Sequence, residues 1–312
     1  MRSCLCLEVR PPKAVTSRRV PVLLNCRSGC GASTAEADRL RQAFDGTGLD
    51  VDVALLRQGD DVRDAARKAL QAQPAVLVAA GGDGTLSAVA DVLRGTGTAL
   101  GVMPFGTLNH FAKDLGIPLD PLEAARTIAA GRRATVDLGE VNGRAFINNA
   151  SLGLYPGMVR ERERQQRRLR RSKRHAMMWA TLAVLNRPPL LDLRLELDGD
   201  VHDCRAPFVF IGNNDYLMEG FNIGTRARLD GGCLNVYTTR ACSAGGLIML
   251  LLHALFGRPA AQAEDFVESR ASSLRVTSRK RRLLVATDGE VSTMDTPLEF
   301  RICRRALEVV VP

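Results

Sequence analysis

An apolar run that ends in glycines constrains this chain more than any other feature: Ala75-Val-Leu-Val-Ala-Ala-Gly-Gly-Asp-Gly-Thr85. It reads as a short buried strand running straight into a glycine-rich turn and then a helix, Leu86 to Leu93. A strand, a glycine turn and a helix N-terminus make an anion site. Glycine lets backbone N–H groups approach an oxyanion, and the helix start adds unpaired donors and a positive dipole end. Asp83 inside the turn would repel a bare phosphate, so it calls for Mg²⁺, a hydroxyl or an ordered water between the two. An ordinary βα turn that uses glycine for its conformational freedom has the same local look, and the neighbouring loops decide between the two.

Upstream, the apolar run Val22-Leu-Leu-Asn25 leads into Cys26-Arg-Ser28-Gly29-Cys-Gly31 and a helical stretch from near Ser33. Downstream, Ala99-Leu-Gly-Val-Met103 leads into Pro104-Phe-Gly106-Thr107-Leu-Asn109-His110-Phe-Ala-Lys113-Asp114. Three strands thus end in loops rich in glycine and hydroxyl or amide side chains. In an open parallel sheet such loops gather at the carboxyl edge, where ligands bind.

At 312 residues, two domains are the natural expectation. Hydrophobic residues are 46% but aromatics only 4%, so the cores must be built from Leu, Val and Ala. Eight cysteines and four histidines show no paired zinc spacing, and free thiols in a reducing cytoplasm account for them. Residues 1–19 read as a loose leader, without the continuous apolar core of a secretory signal. The longest apolar run, Leu247 to Phe256, is about half of the ~20 residues a bilayer span needs, which argues against an integral membrane protein.

The formal charge of +9 is unevenly placed. Between Arg160 and Arg174, nine Arg or Lys stand against only Glu161 and Glu163, and apolar residues with Trp179 follow. That pattern suits an anionic membrane surface, with a solvated charged helix as the simpler alternative. Nucleic acid is a poorer partner, because aromatic residues for base stacking are not interleaved.

From Val20 to about Val136, strand-like runs alternate with helical segments at Glu36–Phe44, Val62–Gln71, Leu86–Leu93 and Leu122–Ala130, as in parallel βαβ units. From Asp137 strand candidates follow one another: 136–141, 145–149, 191–197, 208–211, 234–238, 273–276, 283–286, 298–302 and 307–311. The predicted fold is a parallel α/β domain over 20–136 and an antiparallel β-sandwich over 137–302. Helical excursions at 158–185 and 244–256 interrupt the sandwich.

Five pieces in this order resemble the diacylglycerol kinase catalytic-domain family, which includes bacterial soluble lipid kinases and sphingosine kinases. They are Asn25–Gly31, Gly81–Thr85, Gly106–Lys113, Phe146–Gly153 and Thr287-Asp288-Gly289-Glu290. The resemblance runs from about Val20 to Val311. It implies a Rossmann-like first domain, a cleft between the domains that holds the active site, and a terminal segment, about 303–312, that returns to the first domain.

It also implies ATP with Mg²⁺, and a lipid hydroxyl as acceptor. Gly81, Gly82, Gly84 and Thr85 would cradle phosphates, and Thr107, Asn109 and Asn25 would add side-chain hydrogen bonds. Asp288 would be the general base, with Glu290 beside it and Asp83 in the same network. Spacing alone makes Asp288-Gly289 the turn of a hairpin.

The chain departs from the family pattern in places. Cys26 replaces a Pro, Ser87 and Ala88 stand where Asn-Glu is usual, and His110 stands where an Asp is usual. Arg228-Leu-Asp230-Gly231-Gly232 resembles a loop whose Asp-Asp-Gly holds a structural Mg²⁺ in bacterial members. With Gly231 in place of the second Asp, Asp230 is the one side-chain candidate left for that metal. The expected protein is a cytoplasmic lipid kinase at the inner face of the membrane, with diacylglycerol as the default acceptor. The alternatives are an NAD kinase-like activity and a catalytically inactive nucleotide- or lipid-binding protein.

Overall fold

The computed structural model describes residues 9–10, 19–25, 34–57, 59–154, 156–157, 159–160, 190–219, 222–226, 228–239 and 266–312. The loop Cys26–Gly31, nearly all of both predicted helical excursions and the basic stretch beyond Arg160 lie outside these residues.

Strands β1 (Val9–Arg10), β2 (Arg19–Asn25), β3 (Asp50–Leu56), β4 (Val76–Gly81) and β5 (Ala99–Pro104) open the chain. The parallel order β3-β2-β4-β5 forms one wing of a large mixed sheet, and β1 pairs further along it. All six residues of β4, and all six of β5, are buried, as continuous apolar runs require when helices cover both faces. The helices are α1 (Thr34–Ala43), α2 (Val62–Leu70), α3 (Asp83–Leu93), α4 (His110–Asp114) and α5 (Pro121–Ala130). Local chemistry sets their ends. Asp120 caps α5, Pro121 opens it, and Gly131 closes it at φ 68°.

The second half supplies β6 (Arg133–Val141), β7 (Arg144–Phe146), β8 (Asn149–Gly153), β9 (Leu191–Leu197), β10 (Asp200–Ala206), β11 (Phe208–Asn213), β12 (Tyr216–Glu219) and β13 (Asn222–Arg226). It continues with β14 (Leu234–Thr239), β15 (Phe266–Ala271), β16 (Ser273–Ser278), β17 (Arg282–Thr287), β18 (Glu290–Asp295) and β19 (Leu298–Val310). Six of them form an antiparallel sheet in the order β15-β14-β11-β8-β17-β18. Its inner face packs on β9, β16 and the start of β19, burying Leu193, Leu195, Val209, Ile211, Val236 and Val285 together. In β9 every Leu is buried and every polar residue exposed, the alternation of a strand with one wet face.

This sandwich is not detached from the first half. Its β10-β9-β16 layer continues through β19 into β5, so one sheet serves both halves. Strands β6 and β19 run antiparallel along the join. In β6 Leu138 belongs to the first core and Val141 to the second; in β19 Phe300 belongs to the second and Leu307 to the first. A register shift between Cys303 and Leu307 lets β19 change cores.

Several elements depart from the predicted ones. Residues 298–302 and 307–311, predicted as two strands, are one strand with a bulge. The run predicted at 145–149 splits into β7 and β8, separated by residues whose amides a side chain captures. Helix α3 starts at Asp83 rather than Leu86, because the Gly82 carbonyl already accepts from Thr85 and Leu86. Short α4 lies within a predicted loop. Strands β10, β15 and β18 are polar edge or near-edge strands without an apolar run to announce them.

Candidate active site

Pairing places the glycine loops side by side, since Gly81 of β4 lies opposite Pro104 of β5. Beyond them the two chains touch. A Cβ on Gly106 would fall 2.5 Å from the Cα of Gly82 and 2.6 Å from Asn109 Oδ1. Only glycine allows this approach, and it leaves the N-terminus of α3 open at the sheet edge. Gly81 is needed for another reason: a Cβ there would sit 2.6 Å from the Cβ of Thr85. Thr85 is buried, and its hydroxyl accepts from Asn25 Nδ2 at 2.7 Å. Three strand ends are thereby tied into one edge.

Asn109 and Asp83 brace this edge. Asn109 is buried with φ 50°; its Oδ1 accepts from the Gly106 amide and its Nδ2 donates to the Gly106 carbonyl, both at 2.9 Å. Asp83 accepts from the amides of His110 (3.2 Å) and Phe111 (3.1 Å), and so caps α4 from another helix. Thr107 is exposed, with its side chain accessible to a ligand. Cap removal typically costs about 0.5–2 kcal/mol. Asp83→Ala is therefore expected to melt earlier in denaturant, whereas Asp83→Asn, which retains one accepting oxygen, should lie between it and the parent. Equal midpoints for all three would show that the cap contributes nothing.

The β17–β18 hairpin brings the acidic pair to the same edge. Asp288 occupies the turn at φ 48°, as an Asp-Gly hairpin favours. Its carboxylate accepts from the amides of Ile147 (2.8 Å), Asn148 (2.8 Å) and Asn149 (3.1 Å), and from the Ser87 hydroxyl of α3. The turn itself is half-buried, yet its carboxylate is desolvated. Burial pushes the Asp288 carboxyl above the usual carboxylate range, against the pull of Ser87 and the three amides. Glu290 pairs with Arg144 at 2.7 Å, and its Oε1 lies 3.3 Å from where a Cβ on Gly84 would stand. A cation and an anion thus flank the start of α3.

Sequence reasoning missed Arg144, Asp114 and Arg226. Arg226 and Asp114 form a fully buried ion pair, Nε to Oδ2 at 2.7 Å. They are 112 residues apart in the chain, and no local pattern signals the pairing.

Asp230 does not fit a structural metal. Its carboxylate is paired with Arg228 at 3.1 Å, and Gly231 brings no side-chain donor. Among the described residues no group of three His, Cys, Asp or Glu converges. Cys204, Cys233 and Cys303 are free thiols, and no described helix is long and apolar enough to cross a membrane.

Comparison with known proteins agrees with this architecture. Residues 19–141 match the diacylglycerol kinase catalytic domain, and residues 154–311 match the YegS C-terminal NAD kinase beta sandwich-like domain. A Bacillus subtilis diacylglycerol kinase is 26% identical over 95% of this chain and 97% of its own. A Pseudomonas aeruginosa protein named "Probable lipid kinase YegS-like" is 45% identical over 34% of this chain, a match that spans 35% of that relative. A solved Bacillus anthracis diacylglycerol kinase structure shares the fold, with a TM-score of 0.68 at 18% identity, covering 95% of this chain and 97% of that one. Two matched domains, a shared fold and the glycine edge facing the Asp288 hairpin lead to one assignment: the chain belongs to the diacylglycerol kinase catalytic-domain family of lipid kinases.

Proposed function

We propose that this protein transfers the γ-phosphoryl group of ATP, bound as its Mg²⁺ complex, to the hydroxyl of a lipid acceptor, diacylglycerol by default. The observation that carries this reading is the Gly82–Gly106 contact at the start of α3, faced by Asp288, Glu290 and Arg144. Phosphoryl transfer asks mainly for positioning and charge neutralisation, and for a group to take the acceptor's proton. The magnesium bound with ATP supplies charge neutralisation. The glycine edge, with Thr107 exposed beside it, receives the phosphates against α3. Arg144 adds positive charge where the transferred group carries its own negative charge.

Asp288 is the proposed base. As the acceptor oxygen bonds to the γ-phosphorus and the bond to ADP breaks, the hydroxyl proton passes to the Asp288 carboxylate. Four donors already serve that carboxylate, and the Ser87 hydroxyl is the only one of them that can rotate away. A labelled-ATP turnover assay over a panel of lipid vesicles tests the reading. Transfer to diacylglycerol or another lipid alcohol supports it; transfer to NAD alone favours the NAD kinase-like alternative; no transfer favours a binding protein.

The acceptor resides in a membrane, so we also propose that Arg160–Arg174 holds the protein to an anionic inner leaflet from the cytoplasmic side. Each basic residue near such a surface contributes about 1 kcal/mol. Replacing Arg167, Arg168, Arg170 and Arg171 by Gln is expected to reduce sedimentation with anionic vesicles steeply, and added salt should reproduce the loss in the parent. Equal binding of parent and variant to anionic and neutral vesicles would reject this role.

A further inference from the structure

We propose that Arg226 is a positioning residue for phosphoryl transfer, holding residues 147–149 against the Asp288 carboxylate and in register with the glycine edge. The inference rests on the reading of Asp288 as the base.

Asp288 takes the amides of Ile147, Asn148 and Asn149. Arg226 donates from the other side, to the Ile147 carbonyl at 2.6 Å and to Asn148 Oδ1 at 2.8 Å. One three-residue segment is therefore gripped by a carboxylate on its N–H groups and by a guanidinium on its oxygens. Arg226 does not reach the substrate, for its side chain is wholly buried. Its Nε donates to Asp114 at the last residue of α4, the helix whose first amides Asp83 caps. The contacts close on themselves. They run from Asp83 through α4 to Asp114, on to Arg226, across 147–149 to Asp288, and back through Ser87 to α3, which starts at Asp83.

A closed ring of directional contacts leaves the base no way to shift without moving the phosphate loop. Arginine suits the position because its planar fork serves several acceptors at once. It also donates to the Asn213 carbonyl at 3.2 Å and lies over the Phe111 and Tyr216 rings, 6.0 and 5.5 Å from their centres. A lysine keeps the charge and loses the fork. A buried ion pair with no bearing on the reaction would affect stability alone.

The test uses the full chain with ATP varied up to saturation and vesicles of phosphatidylglycerol containing diacylglycerol. Initial rates are taken across pH and divided by the number of ATP-binding sites titrated in the same preparation. For Arg226→Lys, kcat is expected to fall about tenfold or more while KM for ATP changes less than about threefold, a loss confined to the transition state. The acid limb of the profile should also move to higher pH, because slackened amides donate less to the carboxylate. Asn148→Ala, which removes a single acceptor of Arg226, should move the limb the same way by less, and it serves where the lysine variant does not fold. An unchanged kcat, or a lower kcat with the limb unmoved, overturns the inference. Asp288→Asn is assayed alongside: undiminished turnover in that variant overturns the base assignment itself, separately from the result at Arg226.

Discussion

Asp288→Asn is expected to lower turnover by about 10²–10⁴-fold, the usual contribution of a positioned general base. The side chain keeps its shape and its hairpin turn, since Asn-Gly suits the same turn as Asp-Gly. It also places an NH₂ group where an oxygen accepts from backbone amides. Leaving buried donors unpaired costs about 1–3 kcal/mol, so the variant should also melt earlier than the parent. Rates must therefore be compared per titrated ATP site. A variant that phosphorylates lipid at the parent's rate on that basis would reduce Asp288 to a clamp for residues 147–149.

The parent has its own signature in pH. A carboxyl held above the usual range by burial stays protonated where an ordinary aspartate has ionised. Turnover should accordingly rise with pH through a value above that of a free aspartate. Stability runs the other way. A raised native value means that the native state holds the proton more tightly, so this contribution is full at low pH and is lost as pH rises through the native value.

Gly106→Ala is expected to do the second-largest damage, and to a different quantity. Its Cβ would meet the Gly82 backbone at 2.5 Å and the Asn109 side chain at 2.6 Å. Backbone cannot yield as a flexible side chain does. Forced overpacking costs about 1–3 kcal/mol, and if the glycine edge bears that strain, ATP affinity falls roughly 5- to 150-fold. Gly84→Ala separates strain from crowding. Its Cβ would meet only the Glu290 side chain, nearest at 3.3 Å and half-exposed so that it can swing aside. A loss of affinity there reports crowding of the phosphate edge without backbone strain. Nucleotide titration checks both variants. Unaltered affinity in Gly106→Ala would mean that phosphates do not use this edge.

Much of the first half was legible because its signals are local. β4 and β5 are fully buried apolar runs, and Asp120, Pro121 and Gly131 mark both ends of α5 within its own sequence. The glycine loops could be found for the same reason, and the pairing of β4 with β5 brings them together. The roles of Asp83 and Asn109 were not legible. The sequence presents both as groups for a ligand, while in the fold their polar atoms are engaged by backbone of their own edge. Asx side chains do either job, and only tertiary placement separates the two. Strands β10 and β18 were missed because strands with so few buried residues carry little apolar signal. The Arg226–Asp114 pair was out of reach altogether, as a buried ion pair needs no sequence neighbourhood.

Strand β19 has a consequence for how the molecule comes into being on the ribosome. β2 to β5 emerge early, yet the place beside β5 belongs to Val309, some two hundred residues later in translation. Until then the β5 edge offers unpaired backbone groups to any passing strand. β6 likewise lacks its long partner over residues 133–141. The first half therefore cannot complete its sheet before the second half has been made. Both must be finished by the same late strand, so a stalled or clipped chain loses the two halves together.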